Sequence, residues 1–259
     1  MRLWGKRSGG PKVISYELHN YIDKITLMIR KLFGVAAAAL LLVSSFAHAE
    51  SPWTFSNNTR YLAMGDSLAA GYGAIPMTQG YAYLLYQGGT FDKVTNTIFA
   101  DIGVPGATSA HAFDFQVPEA VNIFQPHVVT ISIGGNDLLQ ILNGVSPGIV
   151  LPAFEANLSQ ILGTLRTGLP DALIIIGNQY DIPEITASVP GGAQIIEAFN
   201  AIIARVAEVT KARVADVFHA FEGRKGLLII ERRRAEPSEV HPTNAGHRVM
   251  ANAFAAAAR

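Results

Sequence analysis

Arg60 to Gly73 reads RYLAMGDSLAAGYG. Tyr61 to Met64 has the pattern of a short apolar strand, Gly65-Asp66-Ser67 that of a sharp turn, and Leu68 onward that of the first turn of a helix. A serine in such a turn lies at the carboxyl end of a strand, beside the backbone N–H groups of a helix start. Open α/β sheets bind ligands and place reactive groups at that position.

Outward from this stretch the chain alternates. Val94 to Ala100, His127 to Ile133, Ala172 to Ile176 and Val214 to Phe218 are apolar runs of strand length. Between them, helical spacing of apolar residues predicts helices over Gln79–Gln87, Pro152–Thr167 and Ala193–Lys211. The last of these should turn Ile195, Ile196, Phe199, Ile202, Ile203, Val206 and Val209 inward. A further short helix is expected from Leu138, and a final one after His241, with Pro242 at its first position. Five apolar strands alternating with amphipathic helices imply an α/β fold: a three-layer α/β/α sandwich around a five-stranded parallel sheet.

The first 49 residues read as an N-terminal extension and secretory signal peptide. Met28-Ile29-Arg30-Lys31 is a basic start, Leu32 to Val43 an apolar run, and Ala47-His48-Ala49 a small-x-small cleavage pattern before Glu50. The run is shorter than the roughly 18 residues that a membrane span needs. Met28 reads as the true start, and residues 50–259 as one exported domain, periplasmic or extracellular. Residues 1–49 hold seven of the 20 Lys+Arg and two of the 20 Asp+Glu. The remainder carries 13 basic against 18 acidic side chains, a net charge of −5, which leaves no basic footprint for nucleic acid. Arg232-Arg233-Arg234, flanked by Glu231 and Glu236, reads as a solvated face. There is no cysteine, so disulfides, thiolate catalysis and Cys-ligated zinc are excluded.

A reactive serine needs a base for its proton and donors for the developing oxyanion. His241, in Glu239-Val240-His241-Pro242-Thr243, is the candidate base; His111, His127, His219 and His247 read as ordinary surface or hydrogen-bonded histidines. Gly106 and Asn136 each lie in a Gly-rich turn after a strand. There is no Gly-x-Ser-x-Gly elbow, phosphate loop, His-Glu-x-x-His or dinucleotide fingerprint.

Gly65-Asp66-Ser67-Leu68, Gly106, Gly134-Gly135-Asn136-Asp137 and His241 together resemble, in order, the four motif blocks of the SGNH, or GDSL, hydrolase family. The resemblance spans nearly all of residues 60–255. It implies a flavodoxin-like SGNH hydrolase fold and a GDSL-type esterase or lipase that needs no cofactor and no metal. Ser67 would be the nucleophile, His241 the base, and Ser67 N–H, Gly106 N–H and the Asn136 amide the oxyanion hole. The substrate implied is a small-molecule or lipid-like ester or thioester.

In one position the sequence departs from the family pattern: Ser238 stands where the family has Asp, three residues before the histidine. Glu239 is the candidate replacement, with Glu236 or a backbone carbonyl as alternatives. A carbohydrate O-deacetylase of the same fold and an exported binding protein with impaired catalysis are the competing readings. Tyr72 to Met77, Leu138-Leu139 and Ile182-Pro183 are expected to add apolar surface beside the serine, if they do not simply pack in the core.

Overall fold

The computed structural model describes residues 58–182, 186–187, 189–229, 231–233, 236–239 and 241–259, with only the backbone between 231 and 239. The proposed signal peptide, Pro183 and the side chains of Arg232 to Arg234, Glu236, Ser238 and Glu239 lie outside the described residues. Five strands, β1 (Thr59–Gly65), β2 (Thr97–Asp101), β3 (Val128–Ser132), β4 (Leu173–Gly177) and β5 (Arg213–Ala215), form one sheet in the order β2-β1-β3-β4-β5, parallel throughout.

Helices cover both faces: α1 (Tyr81–Gln87), a continuous helical segment α2 (109–124), α3 (Gly135–Leu142), α4 (Pro147–Gly168), α5 (Gly192–Thr210), α6 (Val217–Phe221) and α7 (Asn244–Ala257). The strand period of two sorts the side chains. Leu62, Met64, Val129, Ile131, Ile174 and Ile176 pack against α4 and α5 through Phe154, Leu158, Phe199 and Ile203. Tyr61, Ala63, Ile175 and Ala215 face the other way, against Tyr81, Leu85, Val249 and Phe254 of α1 and α7. Both faces are buried, so the strands read as unbroken apolar runs. The chain passes to opposite faces after β1 and after β3, and the crevice between the carboxyl ends of these neighbours is the switch point where such sheets bind ligands.

Several expectations are corrected. Leu68 onward is not a helix but a series of turns. Gly71 and Gly73 take φ of 77° and 91°, and Tyr72 N donates to Ser67 O (2.8 Å), closing a ring wider than an α-turn. The start of β2 is at Thr97, because Val94–Asn96 forms a 3-10 turn. Residues 135–137 belong to α3 and not to the loop before it. Pro147, with Ser146 as cap (Gly148 N to Ser146 Oγ, 3.2 Å), begins α4, and Pro152 lies inside that helix. Gly148, whose carbonyl loses its N–H partner at Pro152, is an exposed residue, where water can replace that partner.

Expected to be strand through Phe218, β5 stops at Ala215, where Asp216 caps α6. Val209, expected inside, is 79% exposed. Pro242 precedes α7 and forms a bridge with Leu228, while Thr243 is the cap. An antiparallel pair, β6 (Glu231–Arg233) and β7 (Glu236–Glu239), was not anticipated.

Candidate active site

The turn after β1 is held by its neighbours. Gly65 has φ of 131°, and a Cβ there would overlap the Ser132 carbonyl oxygen of β3, so only glycine fits. Gln116 of α2 grips Gly65 through the peptide groups on both sides of its Cα: Gly65 N donates to Gln116 Oε1 (2.7 Å) and Gln116 Nε2 donates to Gly65 O (2.8 Å). Asp66 N donates to Ser132 O (2.9 Å) and its Oδ1 accepts from Leu68 N (2.9 Å), an Asx turn around the serine. Ser67 is left at 9% exposure with its hydroxyl at the cavity wall.

His241 arrives from the other end of the chain. Ile229 N donates to His241 O (2.8 Å) and Thr243 N to Leu227 O (2.8 Å), which fixes the backbone on both sides of the imidazole. His241 Nε2 lies 2.8 Å from Ser67 Oγ. The ring also packs on Tyr72, centroids 4.6 Å apart. Gly73, φ 91°, allows this approach, since a Cβ there would overlap the Pro242 carbonyl and come within 2.8 Å of His241 Cβ.

The candidate oxyanion donors converge on the same place. Gly106, with φ of 84°, lies in the turn after β2 and lines the cavity, with no atom within 4 Å of where a Cβ would stand. Asn136, in the first turn of α3, anchors one amide hydrogen on Ala107 O (2.9 Å) and lines the cavity beside it. Among the described residues, the N–H groups of Ser67 and Gly106 donate to no protein acceptor. Ser67, Gly106, Asn136 and His241 are thus brought together. Glu239 lies on β7, two residues before His241, and its side chain is outside the described set.

Several residues carried no signal of their own. Asp137 holds α3 to the start of α2: its carboxylate accepts Ser109 Oγ–H (2.6 Å) and Ser109 N–H (2.9 Å). This pins the turn bearing Asn136 to the one bearing Gly106. Gln179, after β4, donates from Nε2 to Ile133 O (2.8 Å) and lines the cavity. His247 is fully buried: Nδ1 accepts from Tyr81 N (3.2 Å), so Nε2–H donates to Tyr72 O (2.9 Å). Burial lowers its pKa, and the neutral ring ties α7 to the turn beneath His241. The expectation of an ordinary hydrogen-bonded residue holds for His247. Burial pushes Asp66 up to about 7, against the Leu68 hydrogen bond and with the help of the Asp137 charge; burial also raises Asp137.

The cavity has a volume of about 360 Å³, the size of a small-molecule site. Of the stretches expected to supply apolar surface, Tyr72, Leu138, Leu139 and Ile182 line it, whereas Gly73 to Met77 do not. Among the described residues no group of three or more His, Asp or Glu is arranged to hold a metal, and no helix is long and apolar enough to cross a membrane.

A model of the GDSL-like lipase/acylhydrolase family matches residues 63–249. No curated protein matches the chain significantly. Similar solved structures include an acetylxylan esterase from Geobacillus stearothermophilus (TM-score 0.61, 20% identity, 78% of this chain and 95% of that one). Another is a phospholipase A1 from Streptomyces albidoflavus (0.57, 16%, 77% and 99%). A third is a psychrotrophic esterase from a Pseudoalteromonas species, inhibited by monoethylphosphonate (0.55, 18%, 77% and 96%). At such identities the likeness speaks for the fold.

Proposed function

Because the chain belongs to the GDSL-like lipase/acylhydrolase family, we propose that it is an exported serine hydrolase that cleaves carboxylic esters or thioesters through an acyl-serine. The observation that carries this reading is the 2.8 Å contact between His241 Nε2 and Ser67 Oγ at the cavity wall. A nucleophile and base within hydrogen-bond reach are what acyl transfer requires.

Ser67 Oγ attacks the carbonyl carbon as His241 Nε2 takes its proton. The oxyanion is received by Ser67 N–H, Gly106 N–H and the second amide hydrogen of Asn136, one such donor being worth about 10²–10³ in rate. The imidazolium then protonates the leaving oxygen or sulfur, and the carbonyl re-forms as the acyl-serine. Water, deprotonated by His241, attacks the acyl-serine; the proton returns to Ser67 Oγ and the carboxylic acid departs. We assign the third partner of His241 to Glu239.

A fluorophosphonate tests the nucleophile directly, as phosphonylation mimics the tetrahedral adduct; the Pseudoalteromonas esterase is inhibited by a phosphonate. Ser67 is expected to be labelled in the native protein and the label to vanish in Ser67→Ala. Labelling absent from folded protein would sink the hydrolase reading in favour of a binding protein. Run on fractionated cells, the same label reports location, with the band expected in the exported fraction and beginning at Glu50.

A further inference from the structure

Gly135 opens α3 with a helical backbone, and a Cβ there would strike nothing. Alanine is the better helix former, so the backbone gives no reason for a glycine at this position. What the glycine leaves is an open space. Apart from its chain neighbours and its own helix, the described atoms within 4 Å of the place a Cβ would take are two oxygens, Asp66 Oδ2 at 3.6 Å and Gln179 Oε1 at 3.8 Å. Asp66, Gly135 and Gln179 all line the cavity that holds Ser67.

Both oxygens are held in place. Asp66 is 2% exposed, and its Oδ1 is occupied by Leu68 N–H, which leaves Oδ2 for the space. Gln179 is 7% exposed and fixed at three points. Asn200 of α5 accepts its N–H on Oδ1 (2.8 Å) and donates Nδ2–H to its carbonyl (2.9 Å), while Gln179 Nε2 donates to Ile133 O (2.8 Å). A carbonyl can only accept, so the amide nitrogen must face Ile133 and the amide oxygen must face away from it. Among the described residues, no group donates to Asp66 Oδ2 or to Gln179 Oε1, and no Lys or Arg lines the cavity. Buried acceptors are rarely left unmet, so the partner comes from outside the chain.

The pair of oxygens selects its partner. Burial pushes Asp66 up to about 7. With Oδ1 taken, Oδ2 therefore carries a proton in part of the molecules near neutrality and a charge in the rest. A hydroxyl suits both forms: it donates to Gln179 Oε1 while accepting from the acid, or donates to the carboxylate. An ammonium has donors alone and would meet the O–H of the neutral acid.

We infer that the space over Gly135 is a hydroxyl subsite, and that the ester or thioester substrate carries an alcohol group bound between Asp66 Oδ2 and Gln179 Oε1. Gly135 adjoins Asn136 and Asp66 adjoins Ser67, with consecutive Cα atoms about 3.8 Å apart, so this hydroxyl belongs within a few bonds of the carbonyl carbon. The inference rests on Ser67 being the nucleophile. A site that hydrogen-bonds a hydroxyl rejects the analogue lacking it, because its own buried groups are then left unpaired.

Pairs of esters in which a methyl replaces the hydroxyl test this in both halves of a substrate. In the acyl half, p-nitrophenyl 3-hydroxybutanoate is compared with the 3-methylbutanoate, the 3-methoxybutanoate and the 3-aminobutanoate. In the alcohol half, 2-hydroxyethyl acetate is compared with propyl acetate. Gly135→Ala fills the space at ordinary contact distances, and Gln179→Met removes the acceptor from a different element. The hydroxyl-to-methyl ratio of kcat/KM should be about tenfold higher in the wild type than in either variant, the worth of one to two net hydrogen bonds. The intrinsic reactivity of each ester cancels in that comparison. The half in which the difference appears is the half that bears the hydroxyl, and the methoxy ester, which cannot donate, should behave as the methyl one.

Fluorophosphonate labelling of Ser67 verifies that each protein is folded, and if one variant is not labelled the other decides. Equal ratios in wild type and labelled variant, in both halves, overturn the subsite and leave the serine hydrolase standing: the space then holds water alone. Preference for the amino ester over the hydroxy ester overturns the hydroxyl in favour of an ammonium. A wild type that is neither labelled nor turns over any ester removes the nucleophile, a failure of the hydrolase reading and not of the subsite alone.

Discussion

Ser67 and His241 are 174 positions apart and meet at 2.8 Å, and what permits it is chiefly the absence of side chains. Gly65 lets β1 turn against the Ser132 carbonyl, and Gly73 lets the loop pass beneath His241. The residue that orients the base is the chemical departure in this chain, because Ser238 cannot stabilise an imidazolium by charge. If Glu239 takes that role, Glu239→Gln should lower kcat/KM by up to about 10⁴, the loss seen where a triad depends on its acid. Glu236→Gln should do little, and Ser238→Asp should raise the rate. Unchanged turnover in Glu239→Gln would exclude that glutamate. The four candidate site residues were legible only together, as motif blocks in order at successive strand ends; singly, each is an ordinary serine, glycine, asparagine or histidine. Gln116 and Gln179 were not legible. A single glutamine in an apolar helix or loop has no spacing to distinguish it, and its role appears only when the peptide it grips is brought from elsewhere in the chain.

Elements show the same division. The five strands were found because burial on both faces makes them continuous apolar runs, which do not depend on where a turn begins. The start of α4 was misplaced by more than a turn and that of α7 by two residues, since the capping side chain and the proline compete as signals, whereas α5 begins within one residue of the expected position. At α4 the cap is Ser146 and the more conspicuous Pro152 lies inside; at α7 the cap is Thr243 and not Pro242. The end of α4 is secured by a residue the pattern did not mark. Arg166 donates to the carbonyls of Pro170, Ala172, Thr210 and Lys211 at 2.9–3.1 Å, joining the last turns of α4 and α5 to the start of β4. Hydrogen bonds from a charged donor contribute about 1.5–3 kcal/mol, and a cation at helix C-termini adds to them. Arg166→Met should therefore cost about 2–3 kcal/mol in urea unfolding. These contacts lie at the amino end of the sheet, so the rate of Ser67 labelling should be unchanged; a labelling rate that fell with stability would show the two ends to be coupled.

At the scale of the molecule, the sheet gathers carboxyls into its buried carboxyl edge. Asp66 and Asp137 lie within 4% exposure beside the site, and each is raised by burial. Asp66 is pushed up to about 7, while in the unfolded chain it titrates near 3.9. Between those values the folded protein holds a proton that the unfolded chain has released, so stability falls as pH rises through the window and levels off above about 7. The direction is opposite to that of a salt-bridged aspartate, whose contribution is lost in acid. Asp66→Asn preserves an acceptor for Leu68 N and removes the titration. Compared with this variant, the wild type should lose up to about 3 kcal/mol between about pH 5 and about pH 8, read from urea midpoints at both pH values. Taking the difference cancels the groups that do not interact with Asp66; Asp137, whose charge helps raise Asp66, stays coupled to it in the wild type. Parallel pH profiles would mean that Asp66 is ionised in the native state and that the Asx turn around Ser67 carries a charge. A profile in which the wild type alone declines would show that below about pH 7 the turn is held by a neutral acid, and that only there does the oxyanion forming at Ser67 face no second negative charge from its own neighbour.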